Sequence, residues 1–355
     1  MPSLDDLKRS ALALHQAGKL EEAGAAYRAA LDAAPGDTDC LHMLGVLAYQ
    51  RGRFAEALEQ IDRARARRPA NVAAIDFNRA MVVSGILGRC ASAAESPAVA
   101  GVAHPRCTRV ACAVPGNDAA LRFTGERFVP ELNGAIWAEH WHRYCAVAPL
   151  AAGRRVLDAA CGEGYGSDYL ATFAQQVTGV DVSDAAARHA RERYRRSNLR
   201  FVAASVAALP MADASVDLVV SFETIEHLAQ QAEMLAEFRR VLAPGGALVL
   251  SSPNKPVYSG SGAFHNEYHV KELTRSELED LLRCDFPRQR WYRQRPFARS
   301  TMWRDDASAA RLIDLPAMYF VVVCGANAAD LPALADCSVL VRNEMDTLFF
   351  EADLA

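Results

Sequence analysis

The chain has 355 residues, enough for two domains or one large domain with an appendage, and its 51% hydrophobic and 23% charged content is that of a globular protein. No apolar run approaches the roughly 20 residues that cross a bilayer, and the start MPSLDDLKRS lacks the basic-then-apolar pattern of an export signal, so a cytoplasmic location without a membrane span is expected. With 39 basic against 43 acidic residues the chain has no overall pull toward nucleic acid, Arg288 to Arg299 being a local basic patch, and its nine cysteines form no CxxC pair, so neither a nucleic-acid partner nor a thiolate zinc site is expected.

Shifting the first third by 34 residues aligns Gly18 with Gly52, Leu20 with Phe54, Ala23 with Ala57, Tyr27 with Ile61, Ala30 with Ala64 and Pro35 with Pro69. The small residues let paired helices approach, the glycines fit the turns and the prolines break the second helix of each pair. An all-α helical-hairpin repeat domain over residues 1–89 follows. It resembles the tetratricopeptide repeats, Leu44-Gly45 standing where that family has its Leu-Gly pair; the first unit lacks the pair, and the third fades after a helix over Val72 to Val83. Such an array offers a groove for a protein partner, with an Ala-rich helical spacer as the other reading. Residues 90–118 lose the period, collect Pro, Gly and Ser, and read as a linker.

A second domain is expected over 119–327, with 328–355 as a C-terminal tail. Arg155-Val156-Leu157-Asp158 is a short buried strand, Cys161 to Ser167 turns into a helix, and Val177 to Asp181 is a second strand ending in an acid. This βαβ opening binds nucleoside-type ligands: Gly162 and Gly164 admit the ligand close to the backbone, and Asp181 accepts hydrogen bonds from ribose hydroxyls. The GxGxG spacing, and Asp158 placed to meet an ammonium group, favour S-adenosylmethionine over a dinucleotide. Ala160 and Val182 flank these positions and join the expected cofactor-binding set.

Here the sequence resembles the class I S-adenosylmethionine-dependent methyltransferases, of the kind found with bacterial surface-polysaccharide genes. The resemblance implies an α/β fold with a Rossmann-like sheet of seven strands, the last pair antiparallel. Its further strands fall at Leu199–Val202, Val216–Ser221, Ala247–Ser251, around Arg288–Tyr292 and Met318–Cys324, with Gly245-Gly246 ending the helix Leu235–Leu242. Ser205 stands where the family commonly has an acid for the adenine amine. Glu126 to Pro130 and His140 to Tyr144 resemble a lead-in segment, from which Arg143 would pair with the cofactor carboxylate or lie on the surface. His140 and His142 cannot share a helical face and are not paired as ligands.

After the fourth strand, Glu223, Glu226 and His227 stand at i, i+3 and i+4, so one helical turn would put them on one face at the ligand-binding edge of the sheet. They are the expected catalytic residues. The same cluster in ubiquinone-pathway O-methyltransferases and small-RNA terminal 2′-O-methyltransferases resembles a divalent-metal site, which implies Mg or Mn on Glu223, Glu226, His227 and His269 with a vicinal diol as acceptor. Metal-free acid/base use and a structural helix start are the other readings. The segment Ser251 to His269 reads as an acceptor lid, with His265 and Tyr268 as contact residues. The expected activity is O-methylation of a hydroxyl on a sugar, glycan or glycolipid precursor. A small phenol, quinone or ribose acceptor, or a catalytically reduced adaptor, are the alternatives.

Overall fold

The structure, a computed structural model, describes residues 3–67, 71–87, 102–109, 135–260, 266–296, 300–306, 316–326, 331–342 and 347–354. Helices α1 (Leu4–Gln16), α2 (Leu20–Ala33), α3 (Thr38–Gln50), α4 (Phe54–Arg65) and α5 (Val72–Leu87) realise the 34-residue period. Ala23 and Ala30 of α2 and Ala57 and Ala64 of α4 are fully buried, and Gly18 and Gly52 turn the hairpins at φ of +73° and +71°. At Gly45 an added Cβ would stand 2.4 Å from Ile61 Cγ1, so the Leu-Gly pair marks the close approach of α3 to α4.

The second unit comprises Arg106–Asp306 and Pro316–Leu354. The strand β1 (Val102–Arg109) spans the boundary between the units, and after it come α6 (Ala135–Ala151), β2 (Arg155–Ala159), α7 (Tyr165–Ala171), β3 (Gln176–Asp181), α8 (Asp184–Arg193), β4 (Leu199–Ala203) and β5 (Val216–Ser221). After a 3-10 turn at Ile225–His227 come α9 (Gln231–Val241), β6 (Leu242–Pro253), α10 (Lys255–Tyr258) and α11 (Arg275–Arg283). The last strands are β7 (Arg288–Pro296), β8 (Ser300–Arg304), β9 (Tyr319–Gly325), β10 (Cys337–Arg342) and β11 (Thr347–Leu354).

The order β4-β3-β2-β5-β6-β9-β7 is the expected seven-stranded sheet, its first five strands parallel and β9 antiparallel to both β6 and β7. Both faces are covered, so the strands are apolar without alternation. Val156, Val220 and Val249 enter one core with α6 and α7, while Leu157, Val219 and Leu248 enter the other with α9 and α11.

The sheet continues past the expected seven strands through β8, β10, β11 and β1. Two expectations are thereby corrected. Part of the 328–355 tail pairs as β10 and β11, and part of the 90–118 linker is β1. A buried polar chain ties β8 and β10 to α6: the two His142 ring nitrogens bond Ser300 Oγ and Ser338 Oγ, each at 2.9 Å. The helix α9 ends at Val241, before Gly245-Gly246; Gly245 instead turns the entry of β6 at φ +81°.

Candidate active site

The carboxyl ends of β2, β3, β4 and β5 open onto a cavity of about 630 Å³, within the roughly 300–1,000 Å³ typical of small-ligand sites. The loop after β2 is shaped by positive φ at Ala160 (60°), Gly162 (57°) and Gly164 (99°). At Gly164 a Cβ would meet Ala190 Cβ at 2.9 Å, so this glycine seats the start of α7 against α8. Glu163, between the two glycines, is tied to α8 by His189 Nε2 at 2.9 Å, the Tyr194 hydroxyl at 2.6 Å and Arg193 at 3.2 Å.

Asp181 fastens the same loop: its Oδ2 accepts the Gly162 N–H and its Oδ1 the Ser183 N–H, each at 2.9 Å. Each oxygen has a second lone pair, which suits a ribose diol. Of the expected cofactor residues, Ala160, Gly162, Asp181, Val182 and Ser205 border the cavity. Asp158, Gly164 and Arg143 do not.

The reason for Asp158 lies in the strand. It shares the β2 face of Val156, toward α6 and α7, and accepts the Ser167 hydroxyl at 2.6 Å and the Tyr144 hydroxyl at 3.1 Å. It therefore acts on the cavity through Tyr144, which does border it. Burial pushes its pKa up to about 6, the two hydroxyl donors offsetting only part of that. Arg143 is 1% exposed and donates from Nε to Gln294 Oε1 at 2.8 Å. Its Nη2 lies 3.5 Å from Glu223 Oε1, so it serves the opposite end of the site from the one expected.

The cluster after β5 is also built differently from the expected helical turn. Glu223 takes φ of +48°, and only Ile225–His227 make a short 3-10 turn. Ser251 Oγ holds Glu223 from both sides, accepting its N–H at 3.0 Å and donating to Oε1 at 2.6 Å. Glu226 is 1% exposed, and among the described residues neither of its carboxyl oxygens has a hydrogen-bond partner. Burial first, then the nearby Glu223 charge, raise its pKa well above the carboxylate range.

The chain returns to this point because the Glu226 carbonyl accepts the N–H groups of Val270 and Lys271 at 2.8 and 3.0 Å. This brings in His269, whose ring lies edge-on to His227 at 4.9 Å between centroids. Ligand atoms of Glu226, His227 and His269 all lie within 4.8 Å of one another. Three of the four expected ligands thus converge; Glu223 is not in this group. Each imidazole is oriented through Nδ1, His227 on the Tyr268 carbonyl at 2.9 Å and His269 on Glu272 Oε1 at 2.6 Å. With Nδ1–H donating, Nε2 presents its lone pair, the arrangement that metal-ligating histidines use.

Tyr268 contributes its backbone carbonyl, and His265 lies outside the described residues, as do Glu126 to Pro130. The motif reading missed Glu139, His140, Tyr144, Tyr165, Tyr258 and Tyr319, all of which border the cavity. His140 and Tyr144 fall in the lead-in segment, Tyr165 in the turn after the first strand and Tyr258 in the expected lid, but no motif singled them out as site residues. His140, beside the Tyr165 hydroxyl at 3.3 Å, is kept neutral by burial, its pKa lying well below the usual imidazole value.

The strand order and this edge define a class I methyltransferase fold, carried with a tetratricopeptide-like helical region. Residues 157–250 match the methyltransferase domain family and residues 14–76 the tetratricopeptide repeat family. A probable S-adenosylmethionine-dependent methyltransferase of Mycolicibacterium smegmatis is 44% identical over 169 residues, covering 46% of this chain and 64% of the relative. One of Mycobacterium tuberculosis is 41% identical over 185 residues, 50% of this chain and 66% of the relative. The chain thus spans just under two thirds of the length of these two relatives. A ubiquinone biosynthesis O-methyltransferase of Psychrobacter cryohalolentis is 36% identical over 109 residues, 29% of this chain and 42% of the relative.

Proposed function

We propose that the chain transfers the methyl group of S-adenosylmethionine to a hydroxyl oxygen of a small phenolic or quinol acceptor. The observation that carries this reading is that Asp181 and Gly162, suited to the nucleoside, share one cavity with Glu226, His227 and His269, suited to an acceptor oxygen. The acceptor oxygen forms the new O–CH3 bond while the S–CH3 bond breaks with its electron pair going to sulfur, leaving S-adenosylhomocysteine. The hydroxyl proton must leave, because a neutral alcohol is a weak nucleophile, and in a metal-free site the Nε2 lone pair of His227 would take it.

The same trio suits Mg or Mn: two buried Glu226 oxygens have no hydrogen-bond partner among the described residues, and two imidazoles are oriented through Nδ1. Held by Glu226, His227 and His269, a divalent ion would supply stabilisation of an acceptor oxyanion and a lowered hydroxyl pKa; His227 would then be a ligand rather than the base, and the proton would pass to solvent. A phenol is favoured over the sugar, glycan or glycolipid acceptor because Phe222, Tyr258 and Tyr319 line the cavity with aromatic faces, and because one relative is named for a ubiquinone-pathway O-methylation. The repeat region adds a surface for a protein partner in this proposal.

Calorimetric titration with S-adenosylmethionine and S-adenosylhomocysteine, followed by intact-mass analysis of catechol incubated with the methyl donor, tests the reading. Binding of both nucleosides and a mono-methylated product are expected, with product formation reduced by EDTA. Tight NADH binding without S-adenosylmethionine binding would overturn it.

A further inference from the structure

Glu139 of α6 and Tyr319 of β9 border the cavity on a side that no sequence motif reached. Glu139 is 6% exposed. The Tyr319 hydroxyl donates to its Oε2 at 3.0 Å, and among the described residues nothing hydrogen-bonds its Oε1. A carboxylate offers about four acceptor sites, so one phenolic donor leaves most of this group's capacity unmet. Burial accordingly drives the Glu139 pKa up to about 7, against the opposing pull of the Arg143 charge and the Tyr319 hydrogen bond.

The position is held firmly. The Glu139 backbone carbonyl accepts Gln294 Nε2 at 3.0 Å, the same side chain that binds Arg143, and the Arg143 guanidinium lies 4.6 Å from the centre of the Tyr319 ring. Tyr258 links this pair to the Glu226–His227–His269 trio. Its ring stacks on His269 at 5.4 Å with a 24° interplanar angle, and its centroid lies 5.9 Å from that of Tyr319. The under-supplied carboxyl is therefore linked to the trio through two aromatic side chains, Tyr319 and Tyr258.

We infer that Glu139, held by Tyr319, is a second anchor for the acceptor, accepting a hydrogen bond from a hydroxyl that the acceptor carries remote from the oxygen to be methylated. This inference rests on the methyl-transfer reading above and sharpens its substrate class. The acceptor is an aromatic diol with a further hydroxyl donor, and a ring without that donor binds less well because it leaves the Glu139 carboxyl unpaired inside the cavity.

The test uses the full chain loaded with S-adenosylhomocysteine and Mn, titrated calorimetrically with two catechols of nearly equal size, 4-(2-hydroxyethyl)catechol and 4-propylcatechol. A hydrogen bond to a charged or half-charged carboxyl should favour the hydroxyethyl compound by roughly tenfold or more. In Glu139→Met the preference should fall to within about twofold. In the nearly isosteric Glu139→Gln, whose amide oxygen still accepts, an intermediate preference should remain, which keeps the test decisive should the Met variant not fold. Equal affinities in the unaltered chain, no binding of either catechol, or a preference that survives in Glu139→Met would each overturn the second anchor. Loading with S-adenosylhomocysteine is read first and separates the two claims. If it binds and the catechols are not discriminated, only the anchor falls; if it does not bind, the methyl-transfer reading falls with it.

Discussion

Asp158 lies in β2 with its carboxylate among the hydroxyls of Tyr144 and Ser167, 1% exposed. Its pKa is about 6 in the folded chain against about 3.9 for an unfolded aspartate. Between those values the folded state holds the extra proton, so stability falls as pH rises from about 4 to about 6, and the loss is complete above that window. The drop should be about 2–3 kcal/mol, at 1.36 kcal/mol per pKa unit. In Asp158→Asn the side chain is neutral throughout. Thermal melts at several pH values between 4 and 7.5 should therefore show a shallower decline in the variant than in the unaltered chain; equal slopes would remove the assignment. At the other end of the site, His269→Ala removes one of the three converging ligands but nothing from the nucleoside side. Turnover of catechol should drop at least about tenfold with S-adenosylhomocysteine affinity held within a few-fold, and loss of nucleoside binding in that variant would contradict the division.

At the scale of elements, β8 and β10 are locked to α6 by one fully buried imidazole. The two His142 ring nitrogens bond serines of these strands, and burial together with the Arg143 charge lowers its pKa to about 3, so it is neutral. Gln294 of β7 shares Ser300 and holds Arg143, which in turn faces Glu223. The added strands thus reach the acceptor side of the cavity through a continuous polar chain. Replacing His142 with Ala leaves two buried hydroxyls short of a partner and opens a void, at a cost of about 2–4 kcal/mol in urea unfolding. A change below about 0.5 kcal/mol, the range of ordinary surface substitutions, would contradict this role.

The sequence made some elements plain and hid others for physical reasons. The parallel strands were legible because both faces are buried, giving runs such as Val216 to Ser221 bounded by turn residues. The strand β7 reads RQRWYRQRP and resembles a basic surface run, although Trp291 and Tyr292 are buried and Arg293 pairs with Asp305 at 2.6 Å. The Glu223, Glu226 and His227 spacing located the right cavity but carried the wrong local geometry. Periodicity cannot announce a positive φ at Glu223, and that conformation separates Glu223 from the ligand trio and turns it toward Ser251 and Arg143. Glu139 and Tyr319 were hidden because they meet only through folding, 180 residues apart.

At the scale of the whole molecule, the chain divides into two units with separate cores. Leu41, Ala57, Ile61 and Ile75 pack within the repeat helices, alongside a second cluster around Ala23, Tyr27 and Leu47. Among the described residues, all those bordering the cavity lie between Ile136 and Tyr319. A chain beginning at residue 90 should therefore bind S-adenosylhomocysteine with an affinity within about threefold of the full chain, a difference of less than about 1 kcal/mol. The cut must precede Val102, because β1 closes the outer edge of the sheet beside β11 and its loss would leave that strand's backbone unpaired. A chain beginning at residue 119 should accordingly be less stable than one beginning at residue 90, while binding the nucleoside wherever it still folds. If the chain beginning at residue 90 retains native circular dichroism yet fails to bind the nucleoside, the separation of the repeats from the nucleoside site is wrong, and the helices α1 to α5 take part in building it.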